Sequence, residues 1–134
     1  MAEYLVDSNA FLNFKVQPQK LRPQARQAIE DGENRLCVSL AGLWELAIKA
    51  ANGKLENYAR MIAHDPDALL SALRESNFEL LPIELSHALS ASRLPQHHRD
   101  PFDRLMIAQA QAGGLVIITS DSIFARYDVR VLPA

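Results

Sequence analysis

Gly113-Gly114-Leu115-Val116-Ile117-Ile118-Thr119-Ser120-Asp121 joins a helix stop, an unbroken apolar run and a short polar segment ending in a carboxylate. The two glycines close a preceding helix, since glycine takes the left-handed backbone of a helix end without strain. Leu115 to Ile118, apolar at every position, suits a central strand buried on two sides, and such strands belong to parallel sheets covered on each face.

Strand-like and helix-like segments alternate on the rest of the chain. Tyr4-Leu5-Val6, Leu36-Cys37-Val38, Leu80-Leu81 and Val129-Arg130-Val131-Leu132 read as strands. Leu21 to Glu30, Leu40 to Ala51, Asp67 to Glu75, Ser86 to Arg93 and Phe102 to Ala112 have helical periodicity. Such alternation implies βαβ crossovers, so the predicted fold class is α/β, a mostly parallel central sheet with helices on both faces. Pro23, Pro66 and Pro101 each stand where a helix can begin.

With 134 residues the chain has the length of one ordinary domain, and a single domain over 1–134 is expected. Hydrophobic residues make up 49% and charged residues 22%, the balance of a folded protein. Lys and Arg number 14 against 16 Asp and Glu, a net charge of −2 that argues against a duplex-coating nucleic-acid binder. It does not argue against a nuclease, because a site that holds divalent metal is locally acidic. Cys37 is the one cysteine, so no intrachain disulfide or cysteine-rich zinc site can form, and a reducing cytoplasm fits. No stretch approaches a membrane span, and neither export nor membrane anchoring is expected.

In open parallel sheets, ligands bind beyond the carboxyl ends of the strands. Asp7 directly follows Tyr4-Leu5-Val6, and Asp121 follows Ile118 after Thr119-Ser120, so both acids belong to one rim. Glu45, in the first half of the Leu40 to Ala51 helix, can reach that rim, and Asp100 and Asp103 sit at the start of the helix after Pro101. Gathering carboxylates in one crevice is costly unless a cation neutralises them, and oxygen-only ligands select a hard ion such as Mg²⁺ or Mn²⁺. Such a site suits phosphodiester hydrolysis.

Each acid also has a plain structural reading. Asp7 and Asp121 can cap the segments that follow them, and Glu45 can pair with Lys49 one turn on. Asp100, Pro101 and Asp103 together form a helix-start signal, with Asp100 as N-cap and Asp103 completing something like a capping box. Joint placement on one side of one sheet favours the site.

Four blocks carry a family resemblance: Tyr4 to Leu12 (Tyr-Leu-Val-Asp-Ser-Asn-Ala-Phe-Leu), Ser39 to Lys49 with Gly53-Lys54-Leu55, His98 to Ala110 (His-Arg-Asp-Pro-Phe-Asp-Arg-Leu-Met-Ile-Ala-Gln-Ala), and Ile118-Thr119-Ser120-Asp121. In order and spacing the chain resembles the VapC-like ribonucleases of the PIN-domain type. The resemblance implies a PIN-domain-like three-layer sandwich and endonucleolytic cleavage of single-stranded RNA with Mg²⁺ or Mn²⁺. It implies an acidic metal site of Asp7, Glu45, Asp103 and Asp121, with Asp7 and Asp103 as first ligands, Asp121 as a further ligand or a group that supports the ligands from behind, and Glu45 as ligand or orienter of the attacking water. Asp100 is a nearby carboxylate, and the hydroxyls of Ser8, Thr119 and Ser120 are supports. It further implies a homodimer and a VapB-like antitoxin that offers a basic side chain to the acidic site.

Lys49, Lys54, Arg99 and Arg104 are by position the candidates for gripping RNA at the crevice lip, or else ordinary solvated charges. His97 and His98, adjacent in a polar loop, lack the spacing of a paired ligand motif and are expected at the surface or facing RNA. Trp44 and Phe102 are expected in the core. Three rival readings fare worse. A receiver-type signalling domain wants an acidic pair after the first strand and a late lysine, which are missing. A haloacid-dehalogenase phosphatase wants a second Asp where Asn9 stands, and a non-catalytic PIN-like scaffold would have lost one of the carboxylates.

Overall fold

The computed structural model describes residues 1–134. Five strands, β1 (Glu3–Val6), β2 (Arg35–Ser39), β3 (Phe78–Leu81), β4 (Val116–Thr119) and β5 (Val131–Pro133), form one sheet in the order β3-β2-β1-β4-β5. Every pairing is parallel, so the expected α/β sheet is present. The run Leu115 to Ile118 supplies β4, an interior strand as expected, while β1 takes the middle.

Seven α-helices cover the sheet: α1 (Ser8–Val16), α2 (Pro23–Glu30), α3 (Leu40–Ala51), α4 (Asn57–His64), α5 (Pro66–Glu75), α6 (Leu85–Ser92) and α7 (Pro101–Gly113). Period-two alternation in the strands divides the core. Val6, Leu36, Val38 and Ile118 pack with Phe11, Leu43, Leu46 and Leu73 on one face. Leu5, Cys37 and Ile117 pack with Met106, Ile107, Phe124 and Tyr127 on the other. The result is a three-layer sandwich.

Pro23, Pro66 and Pro101 each occupy the first turn of a helix, as expected. Gly114 ends α7 at φ 64, the left-handed position that excludes most side chains. Two helices went unread in the sequence, α1 and α4. α1 begins after a single residue, Asp7, beyond β1, and α4 has neither a side-chain cap nor an N-terminal proline to mark its start.

The strand order reverses between β1 and β4, because the chain leaves β1 toward β2 on one side and reaches β4 on the other. That divergence opens a crevice past the carboxyl ends of β1 and β4. Gly42 lets α3 come close there: a Cβ at this position would lie 3.2 Å from Ser8 Cβ and 3.4 Å from Met106 Sδ.

A carboxylate-lined candidate active site

Asp7 leaves β1 into the crevice, its backbone N–H still bonded to Ile118 O at 2.9 Å. Its side chain caps α1: Oδ1 accepts from the Ala10 N–H at 2.8 Å, and Oδ2 accepts from the Thr119 hydroxyl. The capping reading and the site reading thus hold together for one residue, since the cap fixes the carboxylate where the crevice opens. Asp7 is 7% exposed, and burial pushes its pKa up against the opposing effect of these hydrogen bonds.

Asp121 lies past the end of β4, the strand paired with β1. It caps a 3-10 turn at Ser122–Arg126 by accepting from the Ile123 N–H at 3.0 Å, and its own N–H donates to Thr119 Oγ1 at 3.1 Å. Asp100 is the N-cap of α7, with Oδ1 accepting from the N–H groups of Phe102 at 2.9 Å and Asp103 at 3.1 Å. Asp103 does not return a capping-box bond. Its Oδ2 faces His98 Nε2 at 3.3 Å. Glu45 projects from α3, half-buried, toward the same space.

A polar pocket of about 130 Å³ results, lined by Asp7, Glu45, Asp100, Asp103 and Asp121 together with Ser8, Asn9, Lys49 and Ser120. All four acids expected at the site therefore meet there, with Asp100 beside them. Burial first, then the charges of Asp100, Glu45, Asp121 and Asp7, raise the Asp103 carboxyl from an ordinary 3.8 to about 8. Glu45 is likewise raised by burial, with Lys49 pulling the other way and Asp100 and Asp7 adding to the rise.

A carboxylic acid kept protonated near neutrality by burial and by acidic neighbours is what a cation would relieve. The anionic groups lining the pocket are all carboxylates, with no cysteine or histidine among the lining residues, which fits a hard divalent ion. No three of these side chains converge as a ready-made ligand cage, so an ion held here would complete its shell with water, as Mg²⁺ does.

Several other residues sit differently from expectation. Arg104 is not at the lip but 8% exposed, its guanidinium donating to the carbonyls of Ala91, Leu94, Pro95 and His98. With its donors spent on backbone, it is unavailable to RNA. Thr119, by contrast, is where a support would stand: 1% exposed, outside the pocket lining, with its hydroxyl donated to Asp7. Lys54 lines a neighbouring groove between α1 and α4 that shares Asn9 with the pocket, and Arg99 is exposed beside Asp100. Lys49 alone of the four basic candidates lines the acidic pocket.

Trp44, expected in the core, is 57% exposed and meets half-buried Phe102 edge-on at 5.3 Å. His97 is exposed as expected, but His98 is not a surface residue: its side chain is 18% exposed and bonded on both ring nitrogens. Its only signal in the sequence is its place two residues before Asp100.

The sequence matches the PIN domain over residues 4–130. Comparison with curated protein sequences returns no match. The fold is similar to the VapBC2 structure from Rickettsia felis bound to a promoter DNA fragment (TM-score 0.67, 15% identity, 98% of each chain covered). It is similar also to DNA-bound VapBC from Salmonella typhimurium (TM-score 0.66, 20% identity, 99% of this chain and 98% of that one). VapBC-5 from Mycobacterium tuberculosis aligns with TM-score 0.60 at 20% identity over 99% of this chain and 98% of its own. A match that spans nearly the whole chain, on a parallel sheet with its acids gathered at the carboxyl edge, makes this chain a member of the PIN domain family.

Proposed function

We propose that this PIN domain is an endoribonuclease dependent on Mg²⁺ or Mn²⁺, and that it serves as the toxin of a VapBC-type toxin–antitoxin pair. One observation carries the nuclease reading: five carboxylates from four separate stretches of chain line one small polar pocket, where burial first and then their mutual repulsion raise Asp103 to about 8. A protein keeps so unfavourable a cluster where it has chemical use.

When bound, a divalent ion supplies charge neutralisation at a phosphate and activation of water. Asp7 and Asp103 would hold it, Asp121 would add a ligand or support one, and Glu45 would orient the attacking water or complete the ligand set. The Thr119 hydroxyl keeps Asp7 turned to the crevice, while Ser8 and Ser120 supply polar support. Lys49 gives the pocket one cation toward substrate phosphate. Asp100 acts first as the cap that sets the direction of α7.

Support for protein partners comes from the described VapBC complexes and from an apolar groove of about 500 Å³ between α3 and α5, lined by Leu43, Trp44, Ala47, Leu69, Leu70 and Leu73. An open apolar surface of this kind marks a protein contact. We assign it to the antitoxin or to a second copy of the chain. No helix is long and apolar enough to cross a membrane, and we place the protein in the cytoplasm, where its one, buried cysteine stays reduced.

The test is substrate choice. Purified protein, free of any partner, is given one sequence as single-stranded RNA, single-stranded DNA and duplex DNA, with Mg²⁺ or Mn²⁺ or with chelator. Internal cutting of the RNA that chelator abolishes is the expected result. A folded preparation that cuts none of them, or cuts equally well in chelator, contradicts the proposal.

A further inference from the structure

The hydrogen bonds around Tyr127 determine which nitrogen of His98 carries the proton. The Tyr127 hydroxyl oxygen accepts from Arg104 Nη1 at 3.3 Å and from the His98 backbone N–H at 3.3 Å, and it lies 2.7 Å from His98 Nδ1. Arg104 and the backbone amide can only donate, and a hydroxyl oxygen has two lone pairs. Of the three groups around the hydroxyl, His98 Nδ1 is therefore the one able to accept its hydrogen. Nδ1 accepts, so in the neutral ring the proton sits on Nε2, 3.3 Å from Asp103 Oδ2.

The loop carrying His98 is itself pinned. Arg104 binds the carbonyls of Pro95 at 2.8 Å and His98 at 3.3 Å, and the ring packs against Tyr127 and Phe124 at centroid distances of 5.4 and 6.5 Å. Arg104 stands one residue after Asp103 on α7, so one helical turn holds both the acid and the anchor of the histidine facing it.

We propose that His98 is a positioning residue for Asp103: Tyr127 fixes the Nε2–H tautomer, and that N–H holds the carboxylate in place in the acidic pocket. This rests on the reading of the pocket as a divalent-metal nuclease site. Residues that hydrogen-bond a metal ligand fix its orientation, and losing one costs about 10- to 100-fold in metal affinity.

The experiment has two parts. Long-range ¹⁵N–¹H spectra of the wild-type protein, taken with the ring neutral, are expected to show Nε2 protonated and Nδ1 bare, with Tyr127→Phe giving a mixture. Titration with Mn²⁺ alone is then compared across variants. His98→Phe, which keeps the ring and loses the donor, is expected to weaken Mn²⁺ about 10-fold or more. His98→Gln, whose amide N–H can occupy the place of Nε2–H, restores most of that loss. A wild-type ring protonated on Nδ1, or His98→Phe binding Mn²⁺ as tightly as wild type while Asp103→Asn does not, overturns the proposal. Undiminished binding by Asp103→Asn overturns the metal-site reading itself, and the proposal with it.

Discussion

Thr119, the last residue of β4, donates its hydroxyl hydrogen to Asp7 Oδ2, just past β1, across 112 positions of sequence. The same Oγ1 accepts the Asp121 N–H at 3.1 Å, so one hydroxyl ties Asp7 and Asp121 together. Replacing it with an isosteric methyl strands a buried carboxylate and a backbone N–H. Thr119→Val is expected to lower stability by about 1–3 kcal/mol in denaturant unfolding, with Thr119→Ser recovering most of it. Unchanged stability in Thr119→Val would show that the bond is not made.

The pH dependence of the cation-free protein follows from Asp103. Its carboxyl has a higher pKa folded, about 8, than the ordinary 3.8, so between those values the folded state holds a proton that the unfolded chain releases. The stability this confers is complete below 3.8 and is lost as pH rises through about 8. Asp7 and Glu45, also raised, act in the same direction. In chelator, Tm is expected to fall across this window. Asp103→Asn should fall less and exceed wild type at its upper end, and Mg²⁺ or Mn²⁺ should restore the wild type. A wild-type Tm that rises with pH in chelator would contradict the assignment.

Arg104 and Lys49 are expected to separate cleanly. Arg104→Ala leaves four backbone carbonyls without their donor and should cost about 3 kcal/mol or more in stability. Lys49→Ala, at the pocket wall, should fold normally and lower the slope of log affinity against log salt for single-stranded RNA by about 0.7. A normal salt slope in Lys49→Ala would remove it from the substrate path.

Asp100 combines a cap with a charge. Asp100→Asn keeps the oxygen that receives the Phe102 and Asp103 N–H groups, while Asp100→Ala loses it at a cost of about 1 kcal/mol. Since Asp100 is the largest of the charges raising Asp103, the Asn variant should also bring the Asp103 pKa down, read by ¹³C carboxyl titration. An unmoved Asp103 would show that the two charges do not couple.

Much of this was legible because local chemistry wrote it. The apolar run into β4, the prolines opening α2, α5 and α7, and acids placed directly after β1 and β4 are short-range signals, and topology converts them into one rim. What escaped depends on contacts distant in sequence. Nothing near Arg104 announces that the end of α6 and the following loop will surround it with carbonyls. The helix Leu40-Ala41-Gly42-Leu43-Trp44-Glu45-Leu46-Ala47-Ile48 is apolar nearly all round, so its pattern does not tell which face the sheet covers, and Trp44 falls on the open one. His98 gains its place through Tyr127, 29 residues on.

Whether the carboxylate pocket cuts RNA with a divalent ion is decided by single-stranded RNA cleavage in Mg²⁺ or Mn²⁺ by wild type, Asp7→Asn and Asp103→Asn side by side, each first shown to be folded. The wild type is expected to cut, chelator to stop it, and both variants to have lost the activity. Cutting that survives in either folded variant would contradict that role for the pocket.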